Sequence, residues 1–185
     1  MEALQYLSRS ELDAGLDHIR QSPKDEGVLN LIVRRPAVDE RESIQTAVLS
    51  TDTGLVGDSW VIRARKHTPD GSANFDAQIT LMNSRAIALI AQSEDRWPLA
   101  GDQLYVDLDL SEENLPAGTR LAIGSTIVEI SAVPHTGCVK FSSRFGVDAH
   151  KFVNSKEGRP LRLRGVNTRV VQGGEIKVGD LLRKL

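Results

Sequence analysis

From Val28 onward the chain reads as short runs in which apolar and polar positions alternate, separated by turn-forming residues. VLNLIVRR, SIQTAVLS and LYVDLDL repeat with a period of two, as half-buried strands do, and in the last of them Leu104, Val106, Leu108 and Leu110 share one face. RLAIGSTIVEI joins two such runs through Gly124-Ser125, and TRVVQGGEIKV joins two through Gly173-Gly174. The first glycine of each pair can supply the positive φ of a two-residue hairpin turn. PLRLRGV also alternates, which predicts a strand with Leu161 and Leu163 on one side and Arg162 and Arg164 on the other. Helical spacing is sparser. Leu12, Leu16 and Ile19 recur at the helical period, with Ser8 and Glu11 placed for a capping box. NSRAIALIAQSEDRWP predicts a helix capped by Asn83 or Ser84 and stopped by Trp97-Pro98, and VDAHKFVNS a further short one. Many strands with tight turns and few helices predict a mainly β fold, an antiparallel sheet closed into a barrel or folded into a sandwich. Residues 1–27 are expected to form a helical extension packing on a single globular unit over 28–185.

Composition narrows the function classes. A chain of 185 residues, 40% of them hydrophobic, fits one domain that buries about 70% of its unfolded surface. Its longest apolar run, AIALIA at 86–91, is far shorter than the roughly 20 residues of a membrane-spanning helix. The first residues lack the basic end and apolar stretch of a signal peptide. The single cysteine leaves no internal disulfide to form. A cytoplasmic protein with no membrane partner is the expectation. Net charge is −2, but residues 134–169 hold eight Lys or Arg against Asp148 and Glu157, a segment of +6. A local positive segment in an acidic chain points to a small anionic ligand and away from nucleic acid, whose binders are basic across the whole domain.

Phosphate-loop, dinucleotide, CxxC, HExxH and GxSxG signatures are absent. The four histidines have no zinc-ligand spacing; His18 reads as an exposed helix residue and His67, in KHTPDG, as a solvated loop residue. His135 and His150 lie near the basic segment and near Cys138, which follows Pro134-His135-Thr136-Gly137 at the end of an apolar strand. A cysteine there has three readings. It can be a small buried hydrophobe, or a nucleophile served by His135 or His150 with Asn154 or Asn167 as orienter. It can also be a thiolate favoured by Lys140 and Arg144 beside an anion site. Only the last accounts for the excess of arginine as well, and it suits a ligand with phosphate at one end and a soft, sulfur-binding centre at the other.

Four stretches resemble the MOSC domain, the family named for the C-terminal domain of molybdenum cofactor sulfurases. They are GLVGD (54–58), QITLMN (78–83), IVEISAVPHTGCVKF (127–141) and RGVNTRVVQGGEIKVGD (164–180). The resemblance implies a β-barrel of the pyruvate-kinase-barrel kind with a few short peripheral helices, and a molybdopterin-type cofactor. It matches Cys138 to the family's functional cysteine, which ligates molybdenum or carries sulfur as a persulfide, and Arg169 to a holder of phosphate or pterin. Lys140, Arg144, Arg162, Arg164, His135 and Asn167 join them as candidate cofactor-binding residues. The implied activity is cofactor sulfuration or sulfur transfer, served by a sulfur-donor protein; the alternative is reduction of N-hydroxylated compounds with electrons from a separate donor protein, and a second alternative is a non-catalytic binder of an anionic metabolite. No pyridoxal phosphate is expected on this chain.

Overall fold

The structure is a computed structural model that describes residues 6–64 and 70–185; His67 and most of KHTPDG therefore lie outside the described residues. The chain begins with helices α1 (Arg9–Ala14) and α2 (Leu16–Arg20). Strands β1 (Glu26–Arg34), β2 (Glu42–Ile44), β3 (Thr46–Ser50) and β4 (Gly54–Leu55) lead to helix α3 (Trp60–Ala64). Strand β5 (Ile79–Asn83), helix α4 (Ser84–Ala91) and strand β6 (Leu104–Asp107) are followed by β7 (Arg120–Ile123) and β8 (Thr126–Ile130). Helices α5 (Val139–Phe145) and α6 (Val147–Val153) precede β9 (Val166–Gln172), β10 (Gly174–Lys177) and β11 (Leu181–Lys184).

Seven strands close a barrel in the order β1-β11-β7-β8-β9-β5-β6 and back to β1, with β2 appended to β1; β3, β4 and β10 form a separate small sheet. All barrel neighbours are antiparallel except β5 and β6. That one parallel pair is the exception in an otherwise antiparallel barrel, and α4 with a 3₁₀ segment, Glu94–Ala100, provides the crossover that a parallel connection needs. Leu104, Val106, Leu108 and Leu110 do share a face, packed in the barrel interior with Leu29, Ile32, Leu81 and Val128. Tyr105 and Met82 point the other way, into an outer cluster with Leu12, Leu16, Ile19, Ile87, Phe141, Phe145 and Phe152. The outer face of β5, β6 and β1 is thus roofed by the helices, and the capping box at Ser8 and Glu11 is formed.

Three expectations need correcting. Gly124-Ser125 makes the hairpin of β7 and β8, with Gly124 at φ 55°, whereas β10 leaves β9 after Gly173 and pairs with β3. The alternation of TRVVQGGEIKV marked two real strands without specifying their partners. PLRLRGV is not a strand: Pro160 has no N–H for a ladder, the segment coils through consecutive turns, and Arg162 sits in the left-handed region at φ 49°. Helix α4 stops at Gln92, in the left-handed conformation, ahead of Trp97-Pro98, which lie inside the 3₁₀ segment. The expected helix over VDAHKFVNS is α6. Its neighbour α5 went unpredicted, although Phe141 and Phe145, four apart and both buried, carry its signal.

Candidate functional site

After β8 the chain crosses from Ser131 to Gly137 as an irregular loop, and Cys138, exposed, is the N-cap of α5. Strand β9 holds the start of this loop. The Asn167 side chain, itself buried, donates to the carbonyls of Val133 (3.1 Å) and Pro134 (3.2 Å), and the Ser131 N–H donates to the Asn167 carbonyl (2.9 Å). Helix α6 holds its end. The Asn154 side chain accepts the Gly137 N–H (3.0 Å) and donates to the Gly137 carbonyl (3.1 Å), and His150 Nε2 lies 3.1 Å from the same carbonyl. With a period of two, Arg169 shares the outward face of β9 with Asn167, while Val166 and Val170 face the barrel interior. Arg169 forms an ion pair with Glu129 at 2.9 Å.

Beneath the loop lies a buried charge cluster. Asp102 is fully buried; it accepts a 2.6 Å hydrogen bond from Arg164, which also donates to the Ala100 carbonyl at 2.8 Å and stacks 5.0 Å from the centre of the Phe141 ring. His135 Nδ1 stands 3.5 Å from the second Asp102 oxygen. Burial, reinforced by the Arg164 charge and opposed by Asp102, pushes the His135 pKa down to about 3, so the ring is neutral at physiological pH. Asp102 belongs to the Gly101-Asp102 turn that leads into β6, and that turn connects the cluster to a second group of cations.

Arg35, just past β1, donates to the Gly101 carbonyl (2.7 Å) and grips both oxygens of Asp58 (2.8 and 2.9 Å); Asp58 is the last residue of GLVGD and also accepts the Trp60 N–H. Arg63 approaches Asp58 at 3.6 Å. Arg144, at the far end of α5, donates to the Leu99 carbonyl (2.8 Å) and reaches Asp39 (3.3 Å). Arg41 and Arg63 have pKa values held below the ordinary arginine value, first by burial and next by the charges of Arg144 and Arg35 respectively. The buried side-chain atoms that lack a hydrogen-bond partner among the described residues are Arg41 Nε, Arg63 Nε, Arg164 Nε, Ser59 Oγ, Asp102 Oδ1 and His135 Nδ1. All of them fall in this one neighbourhood. Buried polar groups are nearly always satisfied, so these atoms are ones that a water or a polar ligand could still pair.

Of the residues singled out in the sequence, His135, Arg164 and Arg144 join this neighbourhood, and Asn167 secures the loop above it. Cys138, Phe141 and Arg144 follow one another at intervals of three along α5, on adjoining parts of its surface, with Phe141 under Arg164. Lys140 is exposed on the same helix. Arg162 turns elsewhere, donating to the carbonyls of Leu110 (3.2 Å) and Leu115 (2.6 Å). It lines a cavity of about 260 Å³ with His135, Arg159 and Arg164, so the cavity borders the buried cluster through His135 and Arg164. Arg35, Arg41, Arg63, Asp58 and Asp102 were not anticipated as site residues, although GLVGD and the Gly-Asp turns carried two of them.

The MOSC domain model matches residues 68–183, and the chain belongs to the MOSC domain family. Its fold is shared with solved structures of low sequence identity. The YUAD protein from Bacillus subtilis is 14% identical with a TM-score of 0.58, the match covering 86% of this chain and 95% of that one. YiiM from Escherichia coli is 15% identical with a TM-score of 0.55, covering 85% and 69%. YiiM from Geobacillus stearothermophilus is 15% identical with a TM-score of 0.57, covering 86% and 75%. A search of curated proteins finds no match. Among the described residues no helix is long and apolar enough to cross a membrane, and no three His, Cys, Asp or Glu side chains converge as a metal-binding group.

Proposed function

We propose that the protein binds a molybdopterin-type cofactor on the helix-roofed outer face of the barrel, with Cys138 as the sulfur group that meets it and the arginines as the wall that holds its phosphate. The observation that carries this reading is the set of unpartnered, buried arginine atoms at positions 41, 63 and 164, combined with an exposed thiol one helical turn from the ring beneath Arg164. Membership of the MOSC family, whose association is with the molybdenum cofactor, supports it.

The residues fit such a group. Arg41, Arg63 and Arg144 would take a phosphate, since like charges crowded together and partly desolvated are relieved by a dianion. Arg169 and Lys140 would flank the ligand, Arg169 giving up part of its pairing with Glu129. His135, neutral, can donate or accept a hydrogen bond without adding charge, and Asp102 with Arg164 fixes the floor under it. Cys138 supplies a soft ligand, and a metal meeting it would bring its other ligands from the pterin. When bound, the cofactor supplies a redox-active metal and an exchangeable sulfur. In the sulfur-carrier form of the reading, the Cys138 thiolate would attack the outer sulfur of a donor protein's persulfide and keep it as its own persulfide, the donor's thiolate leaving.

Protein purified from a host that makes the cofactor tests this. Wild type is expected to hold molybdenum and pterin near one per chain, and Cys138→Ala at least tenfold less. Equal metal in the two removes the cysteine from the site. Pterin absent from both overturns the cofactor reading, and a mass increase of one sulfur confined to Cys138 selects the carrier role.

A further inference from the structure

We infer that Asn154, assisted by His150, is the positioning residue of Cys138; this rests on the reading that the Cys138 thiol is the functional group. Asn154 caps the C-terminus of α6, where its own N–H bonds the His150 carbonyl at 3.3 Å. From there its side-chain amide engages both backbone groups of one residue, accepting the Gly137 N–H at 3.0 Å and donating to the Gly137 carbonyl at 3.1 Å. His150 Nε2 is 3.1 Å from that carbonyl and 3.2 Å from the Asn154 amide nitrogen, closing the group from the preceding turn.

The consequence for the thiol follows from peptide planarity. Holding the Gly137 carbonyl fixes the plane of the Gly137–Cys138 peptide. The Cys138 carbonyl accepts the Ser142 N–H at 3.0 Å, which fixes the plane on the other side. With both planes fixed, the direction in which the Cα–Cβ bond of Cys138 leaves the chain is fixed too, although the side chain itself is exposed. The platform is firm: Ala149, Phe152 and Val153 of α6 are buried, and the Arg9 N–H bonds Asp148 at 3.1 Å. Gly137 is required for the approach, because a Cβ there would lie 2.9 Å from both the Asn154 amide nitrogen and a Val153 methyl. A loop released from this grip can fold the thiol toward the neighbouring cavity that Thr136 and Val153 line.

Cys138 is the only cysteine, so alkylation by iodoacetamide followed by intact mass reads this one thiol. Asn154→Leu keeps the volume and removes both hydrogen bonds. It is expected to slow alkylation at least threefold and to speed exchange of the Gly137 amide at least tenfold, while the amides of Phe152 and Val153 keep their protection. Gly137→Ala, which forces the same contact apart from the loop side, is expected to slow alkylation to a similar degree. Asn154→Gln, which retains both amide groups, should return the rate to within about twofold of wild type, and Lys151→Ala, on the exposed side of α6, should leave it unchanged. Wild-type alkylation and Gly137 exchange in Asn154→Leu overturn the inference, as does a loss of protection shared by the whole of α6. These readouts need no cofactor. If Cys138→Ala retains full molybdenum while Asn154→Leu still slows alkylation, the cysteine's part in the cofactor reading fails and the positioning role stands.

Discussion

His135 stands 3.5 Å from a carboxylate and is nonetheless neutral, because the cost of burying its charge and the repulsion of Arg164 together exceed the attraction of Asp102. Its pKa in the folded chain, about 3, is below the unfolded value of 6.5. Between those values the unfolded chain binds a proton that the folded chain does not, so this group's contribution is intact above pH 6.5 and is lost as pH falls through that window. From pH 7 to pH 5 the expected loss is at most roughly 2 kcal/mol, read by urea denaturation across that range. His135→Asn should flatten the slope, and an unchanged slope would mean that His135 protonates freely in the folded chain. His135, Arg164 and Cys138 could all be found in the sequence because they fall in one basic stretch. Arg35, Arg41 and Arg63 could not, since they lie far upstream of Cys138 in the chain and only barrel closure brings β1 and the GLVGD segment beside α5. The charge count was also silent on pairing: it scored Arg162 and Arg169 alike with the rest, whereas one is spent on two carbonyls and the other on Glu129.

Among the elements, period-two alternation located the strands well, and the barrel was legible to that extent. It failed where the partner of a strand is set by distant chain. The Gly173-Gly174 pair has the local chemistry of a hairpin, but both edges of β9 are already taken by β5 and β8, and β10 pairs along its length with β3. The Leu161/Leu163 alternation is a coincidence of a turn segment in which Leu163 is buried against the helices. The N-terminal helical segment was legible as one helix by its three apolar positions and its cap; the structure breaks it at Gly15 into α1 and α2, and all three positions are buried in the outer cluster. Leu12, 1% exposed, should behave as a core residue. Leu12→Ala is expected to cost about 2–5 kcal/mol of unfolding free energy, with a single transition in urea. A second, earlier transition in the wild-type chain would instead make α1 and α2 a separately melting piece.

At the scale of the molecule, an acidic protein with net charge −2 gathers Arg35, Arg41, Arg63, Arg144 and Arg164 around Asp39, Asp58 and Asp102. The local surplus is positive, and three of those arginines have a buried nitrogen without a partner. Such an arrangement carries a standing electrostatic cost that a bound anion would relieve, and occupancy would then be linked to stability. A ligand that binds only the folded state adds RT ln(1 + [L]/Kd), about 2.7 kcal/mol at a hundredfold excess over Kd. Inorganic phosphate should therefore raise the melting temperature of the free chain by several degrees beyond any effect of sodium chloride at equal ionic strength. Arg63→Ala removes one member of the crowded group while Arg35 still neutralises Asp58. That variant should melt no lower than wild type without phosphate, because a repulsion has been deleted, and should lose most of the phosphate-dependent rise. Thermal melts of both proteins across a phosphate series decide it. Parallel shifts in the two would place the anion away from Arg63, and a lower melting point for Arg63→Ala in the absence of phosphate would make that side chain a structural support and not a ligand group.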